Sequence, residues 1–180
     1  MPYLLALMLS IFTLTGCQSA YYSAMEQVGY HKRDIMVDRV EDAKQSQQDA
    51  QQEFTSALEA LSALTQFDGD ELETIYNQIN DKYQDSEKAA QEVSDRIAAI
   101  EDVSDALFAE WQSELDLYTS TKLKRASEQK LKETQRSYNT MLSAMKRAED
   151  KMTPVLNTLR DNTLYLKHNL NASAIGSLQG

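Results

Sequence analysis

Few residues in this chain have the types and spacing that catalysis requires. The 180 residues include one cysteine, Cys17, and two histidines, His31 and His168. The sequence contains no Gly-x-x-x-x-Gly-Lys-Ser/Thr phosphate loop, no Gly-x-Ser-x-Gly nucleophile turn and no His-Glu-x-x-His zinc motif. In the fold predicted below the two histidines lie far apart, so we do not expect them to share a metal ion. The sequence therefore predicts a protein that is not an enzyme and that carries no metal or dissociable cofactor.

The cysteine follows an apolar leader. Residues 1–16 carry no charged side chain and are too few to span a bilayer, which takes about 20 helical residues. Such a run is typical of a secretory signal peptide. Its end resembles a bacterial lipobox, Leu14-Thr15-Gly16-Cys17. That resemblance implies cleavage before Cys17 and attachment of a diacylglycerol and an N-acyl chain to it. Gln18, which follows, implies the periplasmic face of the outer membrane. The alternative is a buried Cys17 thiol packed as a small apolar residue.

The rest of the chain has a helical period. Apolar side chains recur every three or four positions over residues 36–64, 76–118 and 131–169. Turn-forming residues separate these stripes at 67–70, where Asp70 is a candidate helix cap, and at 118–121. Short connections make neighbouring helices antiparallel. The sequence therefore predicts an all-α fold, an elongated antiparallel three-helix bundle or coiled coil over residues 25–180, preceded by an anchor and short tether at 17–24.

Pro154 falls inside the third stripe. A proline within a helix removes a hydrogen bond and kinks the axis at a cost of about 3 kcal/mol. The alternative is that Thr153 caps a fresh helix with Pro154 at its first position. Because the apolar stripe continues in phase through Met152 and Val155, we favour a third helix kinked at Pro154.

Charge is distributed unevenly along the chain. The net charge is −10, which argues against nucleic acid as a partner because phosphate binding needs a cationic surface. Residues 17–67 carry −4, residues 68–118 carry −12 and residues 119–180 carry +6. We expect the opposition between the second and third segments to select the register of the helices more than to stabilise them.

Two groups of polar residues are candidate docking sites. Tyr30, His31, Lys32 and Arg33 form the densest polar group, near which we expect Phe108, Trp111 and Leu131. Lysine and arginine at this position would suit lipid headgroups or a partner protein; the alternative is an ordinary solvated turn of helix. Tyr21, Tyr22 and Tyr30 would suit a membrane interface or simply cover the end of the bundle. Tyr165 and His168 are candidates at the opposite tip.

Five blocks of sequence carry a family resemblance. They are residues 17–22, 28–35, 37–40, 67–69 and 165–171. Together they resemble a gammaproteobacterial family of lipoproteins with a domain of unknown function, the DUF2959 family. The resemblance covers the chain from Cys17 onward and implies no established activity and no catalytic residues. Members of that family are longer, and the sequence stays apolar almost to Gly180, so we expect a C-terminal truncation.

These observations favour a structural role in the cell envelope. We expect a lipid-anchored periplasmic protein that acts as a spacer or docking scaffold, with an envelope protein as its partner. The alternative is a carrier for a lipid or an unfolded chain, with Met141, Met145 and Met152 lining an adaptable groove; the competing interpretation places these methionines in the core. The sequence does not set the oligomeric state, and a homo-oligomer is compatible with it.

The lipobox interpretation makes a direct prediction. A fatty-acid analogue supplied to growing cells should label the wild-type chain and not Cys17→Ser, because the thiol is the only site for the diacylglycerol. The measurement is labelled protein detected after electrophoresis. Equal labelling of the two chains would contradict the anchor.

Overall fold

The computed structural model describes residues 16–63 and 72–176, with side chains from residue 20 onward. The described helices are α1 (Gly16–Gln27), α2 (Lys32–Ala63), α3 (Leu72–Glu114), α4 (Thr121–Asp150) and α5 (Met152–Gly176), with a short 3-10 helix at Leu115–Leu117. No strand occurs in these two ranges. The predicted all-α class is therefore confirmed, and the described part of the chain is a helical bundle.

The turn predicted at residues 118–121 is present. The 3-10 helix ends at Leu117, and α4 begins at Thr121. Ser120 caps α4: its carbonyl oxygen accepts the Lys124 N–H at 2.9 Å and its hydroxyl oxygen accepts the Leu123 N–H at 3.4 Å. The turn predicted at 67–70, including the Asp70 cap, lies outside the described residues.

The third helical segment is divided into α4 and α5. The interruption falls at Lys151, and Pro154 is the third residue of α5. Proline has no N–H to donate to the carbonyl of the residue four positions earlier, Asp150, and its ring crowds that carbonyl. This accounts for the end of α4 at Asp150. The described break thus lies three residues before Pro154.

The chain forms two compact units. The first consists of the described residues up to Val40 together with Ala99–Tyr138, and the second of Glu41–Ala98 and Asn139 onward, again within the described residues. Helices α2, α3 and α4 contribute residues to both units.

In the first unit α1, α2 and α3 share a core. Tyr22, Ile35 and Val103, one from each helix, are buried together. Helices α2 and α3 are antiparallel here, because Lys32 contacts Glu110 whereas Arg39, further along α2, contacts the earlier Asp102.

The second unit is built on the predicted apolar stripes. The pairs Asp42–Arg96 and Glu53–Lys82 show that α2 and α3 are antiparallel in this unit also. Buried positions include three alanines of α2, which allow close backbone approach, and larger residues of the other helices: Ala43, Ala50, Ala57, Ile79, Val93, Ile97, Met145 and Leu159. All eight lie in the predicted apolar stripes. Ala148, which also lies in the third stripe, is exposed instead of buried.

Gln47 is the polar position of the first stripe, and it is half-buried. Its Nε2 donates a hydrogen bond to the Met145 carbonyl oxygen at 3.3 Å. A buried polar residue in an apolar seam favours one register, because a slip would leave its amide without a partner. Gln47 therefore links α2 and α4 in a specific alignment.

Truncation of the second unit's core should be costly. Ile79 is fully buried, whereas Ile175 is 61% exposed. We expect Ile79→Ala to lower the free energy of unfolding by about 2–5 kcal/mol. The matched control Ile175→Ala should change it by less than about 0.5 kcal/mol. Urea denaturation followed by circular dichroism measures both, and equal losses would contradict this packing.

Candidate docking site at the corner between the first two helices

The corner between α1 and α2 is closed by a glycine. Gly29 has a φ of 89°, in the left-handed region that other residues rarely adopt. Its N–H donates to the Glu26 carbonyl oxygen at 3.0 Å, and the Tyr30 N–H donates to the Met25 carbonyl oxygen at 2.9 Å. This pair of bonds is the Schellman arrangement, which satisfies the last carbonyls of a helix and fixes the direction of the exit.

The start of α2 is fixed from the other side of the corner. The His31 carbonyl oxygen accepts the Asp34 and Ile35 N–H groups at 2.9 and 3.1 Å. The Asp34 carboxylate in turn accepts the His31 N–H at 3.4 Å, as the third residue of a capping box does. A carboxylate in the first turn also interacts favourably with the helix dipole. The corner is therefore held by backbone bonds on both sides.

Lys32 locks the corner to α3. Its Nζ lies 2.6 Å from Glu26 Oε1 of α1 and 3.1 Å from Glu110 Oε1 of α3, and its side chain is only 11% exposed. Burial lowers the pKa of the Lys32 ammonium, but hydrogen bonds to the Glu26 and Glu110 carboxylates outweigh burial and raise this pKa above its ordinary value. Lys32 is consequently a structural cation that bridges three helices.

A pocket of about 390 Å³ opens beside this bridge. Three of the predicted docking residues line it, together with residues of α1 and α3: Glu26, His31, Lys32, Arg33, Leu107, Glu110, Trp111 and Glu114. Trp111 was expected here, and its Nε1 donates to Ser127 Oγ of α4 at 2.8 Å. Phe108 and Leu131, also expected, do not line the pocket; Phe108 packs edge-on against Tyr138 with ring centroids 5.4 Å apart. The mixed charges of the lining match no single ligand class.

Three side chains project from the corner. Tyr30 is 51% exposed and Val28 is 75% exposed. The Arg33 side chain is 70% exposed, and its guanidinium contacts only the neighbouring carboxylate of Asp34 among the ion pairs described, at 3.3 Å. Of the predicted docking group, Lys32 is therefore occupied by its ion pairs with Glu26 and Glu110, while Tyr30 and Arg33 face solvent.

A partly buried polar cluster, which the sequence did not reveal, holds α1 in place. The Tyr22 hydroxyl donates a hydrogen bond to the Asp102 carboxylate of α3. Arg39 of α2 donates to the Tyr22 hydroxyl oxygen at 2.9 Å and to the Ala99 carbonyl oxygen at 2.6 Å. Its guanidinium lies 5.6 Å from the centre of the Tyr22 ring, within cation–π range. We call Tyr22, Arg39 and Asp102 the tyrosine clamp.

The tyrosine clamp places Tyr22 in the core of the first unit. Tyr22 is 2% exposed and packs with Ile35 and Val103, whereas Tyr21 is 45% exposed and contacts the Tyr22 ring edge-on. Residues 17–24, predicted as an anchor and short tether, all belong to helix α1. Gly29 was the available sequence signal, since a glycine between two helical segments marks a C-cap and allows the preceding segment to fold back.

The remaining predicted site residues lie elsewhere. Tyr165 and His168 belong to the second unit, where both are exposed. Leu14 and Thr15 lie outside the described residues, and Gly16 and Cys17 are described only as backbone at the start of α1.

Within 16–63 and 72–176 there is no group of three or more His, Cys, Asp or Glu side chains placed to hold a metal ion. None of the helices in those ranges combines the length and the apolar character needed to cross a membrane.

The second unit contains a larger concavity, which we call the α2–α5 groove. Its volume is about 590 Å³. The lining comes from α2, α4, α5 and the residue between the last two: Lys44, Gln47, Gln48, Gln51, Phe54, Thr55, Leu58, Ala148, Lys151, Met152 and Val155. Of the three methionines considered for a groove, Met152 lines it, whereas Met145 is buried in the core.

The tyrosine clamp makes the free energy of unfolding depend on pH in the alkaline range. Burial and the hydrogen bond to Asp102 raise the pKa of Tyr22 to about 12, although Arg39 opposes the shift. Because the pKa is higher in the folded chain than the ordinary value of 10, the contribution of Tyr22 is complete below pH 10. It is lost as the pH rises from 10 through 12.

We expect Tyr22→Phe to remove this dependence. Between pH 7 and pH 11 the variant should lose about 1 kcal/mol less of its free energy of unfolding than the wild type does. Urea denaturation at the two pH values measures the difference. Tyr21→Phe is the matched control and should behave as the wild type; a Tyr22→Phe chain with the wild-type pH dependence would contradict the clamp.

Comparison with known proteins gives a family. The family model described as "Protein of unknown function (DUF2959)" matches residues 21–180. No curated protein and no solved structure matches the chain. The match covers α1 from Tyr21, the tyrosine clamp, the corner and both units. The chain therefore belongs to the DUF2959 family.

Proposed function

We propose that this protein is a non-enzymatic docking scaffold of the cell envelope, anchored by lipid on Cys17 at the periplasmic face of the outer membrane. The docking surface in this proposal is formed by the exposed side chains of the α1–α2 corner, Val28, Tyr30 and Arg33. The observation that supports it is that hydrogen bonds and the Lys32 bridge hold the corner while these three side chains remain exposed.

A fixed corner is suited to binding. A surface that is already ordered loses less conformational entropy when a partner docks, so more of the interaction energy appears as affinity. Tyrosine and arginine are the residue types that most often dominate the energy of protein interfaces. Tyr30 and Arg33 combine both properties, because their backbone is held by the Schellman bonds and by the hydrogen bond between the His31 N–H and the Asp34 carboxylate.

The position of the corner relative to Cys17 supports a partner close to the membrane. Helix α1 has 12 residues and begins at Gly16, which corresponds to about 18 Å at 1.5 Å per residue. The tyrosine clamp holds that helix against α2 and α3. In the proposal, an acylated Cys17 would therefore present the corner at a short, fixed distance from the lipid. We propose a membrane-associated envelope protein as the partner.

We also propose the finer architecture, an antiparallel three-helix bundle whose third segment is kinked near Pro154. Contacts of α4 with both other long helices support it. Trp111 and Phe108 of α3 contact Ser127 and Tyr138 of α4, respectively, in antiparallel order. The Gln47 amide joins α2 to α4. The break at Lys151 supports a change of axis near the proline.

A second candidate function is a carrier for a lipid or an unfolded chain. The α2–α5 groove favours it, because its volume of about 590 Å³ falls within the range of about 300–1,000 Å³ typical of ligand sites. Met152 in the lining supplies an adaptable, polarizable surface.

Site-specific photo-crosslinking tests the scaffold proposal. A photoreactive phenylalanine analogue in place of Tyr30 should capture an envelope protein in living cells. The same analogue at Tyr165, which is 67% exposed in the second unit, serves as the matched control and should capture much less. Mass spectrometry of the adducts identifies the partner.

Charge reversal sharpens the test. Arg33→Glu should reduce the Tyr30 adduct several-fold, because the partner loses a cationic contact and gains a repulsive one. Arg125→Glu changes an exposed arginine of α4 and should leave the adduct unchanged. Adducts at Tyr165 alone, or a Tyr30 adduct indifferent to Arg33, would contradict docking at the corner.

A further inference from the structure

We infer that the α2–α5 groove is a binding site for a single-chain anionic amphiphile, a fatty acid or a lipid with one alkyl chain and a negatively charged headgroup. This inference deepens the carrier proposal and rests on it, while it is independent of docking at the corner. It follows from the chemistry of the lining, from the charge around the rim and from the break between α4 and α5.

The apolar part of the groove comes from both sides. Phe54 and Leu58 belong to α2, and Met152 and Val155 belong to α5. Leu58 is 40% exposed although its helix neighbour Phe54 is 8% exposed. An exposed leucine beside a half-buried methionine and valine is apolar surface that an alkyl chain would cover.

The charge of the lining has one sign. Among the described residues that line the groove, Lys44 and Lys151 are the ionisable ones and none is an aspartate or glutamate. Acidic residues outnumber basic ones by 28 to 18 in the chain as a whole. A groove with cations alone is therefore a local reversal of the protein's net charge, and it is complementary to an anionic headgroup.

Both lysines are available to a ligand. Their residues are exposed, and neither ammonium has an ion pair or hydrogen bond with another described residue. Lys32 and Lys82 contrast with them, because each pairs with a carboxylate of a neighbouring helix. Lys44 and Lys151 thus retain the donors that a carboxylate or phosphate headgroup would accept.

The helix break explains why the groove exists. Ala148 precedes the interruption and Lys151 forms it. Met152 and Val155 follow it. Ala148, in the last turn of α4, is exposed and lines the groove. Its small side chain leaves space in the groove next to the half-buried Met152 and Val155.

Binding of matched C10 amphiphiles tests the inference. The full chain carrying Cys17→Ser, which lacks the acylation site, is titrated by calorimetry with decanoate, decanol and decyltrimethylammonium below their critical micelle concentrations. We expect decanoate to bind most tightly and the cation least. Affinity should rise about two- to fourfold per methylene from octanoate to dodecanoate, as expected for burial of an alkyl chain.

Two sets of variants locate the site. Lys44→Gln with Lys151→Gln should weaken decanoate binding about three- to tenfold and leave decanol unchanged. The matched control, Lys88→Gln with Lys167→Gln, alters exposed lysines outside the groove and should have no effect. Ala148→Trp should abolish binding of all three compounds by filling the channel, with helicity by circular dichroism confirming that the variant folds.

The outcomes separate this inference from the carrier proposal. Equal affinity for the three headgroups, with loss on Ala148→Trp, would overturn the anionic assignment and leave a lipid carrier standing. Binding that survives Ala148→Trp, or no binding at all, would overturn the site itself. A dimer that dissociates on Ala148→Trp, measured by sedimentation, would assign the groove to a second copy of the chain instead.

Discussion

The hydrogen-bonded cluster of Tyr22, Arg39 and Asp102 determines where the first helix lies. An isolated helix of 12 residues is marginal in water, so α1 depends on its contacts with α2 and α3. Tyr22 places an aromatic ring between those helices, and its hydroxyl is hydrogen-bonded to Arg39 of α2 and to Asp102 of α3. Arg39 completes the arrangement by donating to the Ala99 carbonyl oxygen. Removing the Tyr22 side chain would take both hydrogen bonds of its hydroxyl away and leave Arg39 and Asp102 paired with each other, so α1 would lose its polar contacts with α2 and α3.

The functional proposals depend on that constraint to different degrees. Docking at the corner requires α1 to be held, because the Schellman turn at Gly29 and the Lys32 bridge both take one of their partners from α1. The groove belongs to the second unit and is lined by no residue of α1. The molecule therefore offers two candidate binding surfaces whose roles are separable.

The helical class and most core positions were predictable, whereas the clamp and the groove were not. A three- and four-residue apolar period identifies the buried face of a helix without knowledge of its neighbours. The contacts of Tyr22 and Arg39 join three helices, so the pattern of any one helix does not predict them. Segment charges did not predict which ion pairs join α2 and α3, since Arg39–Asp102 and Lys82–Glu53 join two segments that are both net negative. One pair, Lys124–Asp116, does join the oppositely charged second and third segments. The groove lies at the interruption between α4 and α5, which falls at Lys151, three residues before Pro154.

Hydrogen exchange of the α1 amides is the most direct measurement of the central claim, that the first helix is docked through Tyr22. If the claim is correct, amides after the first turn of α1 exchange far more slowly than in a peptide of residues 16–30, and Tyr22→Ala removes that protection while the second unit keeps its own. Exchange of α1 at the rate of the free peptide in the wild-type protein would contradict the account.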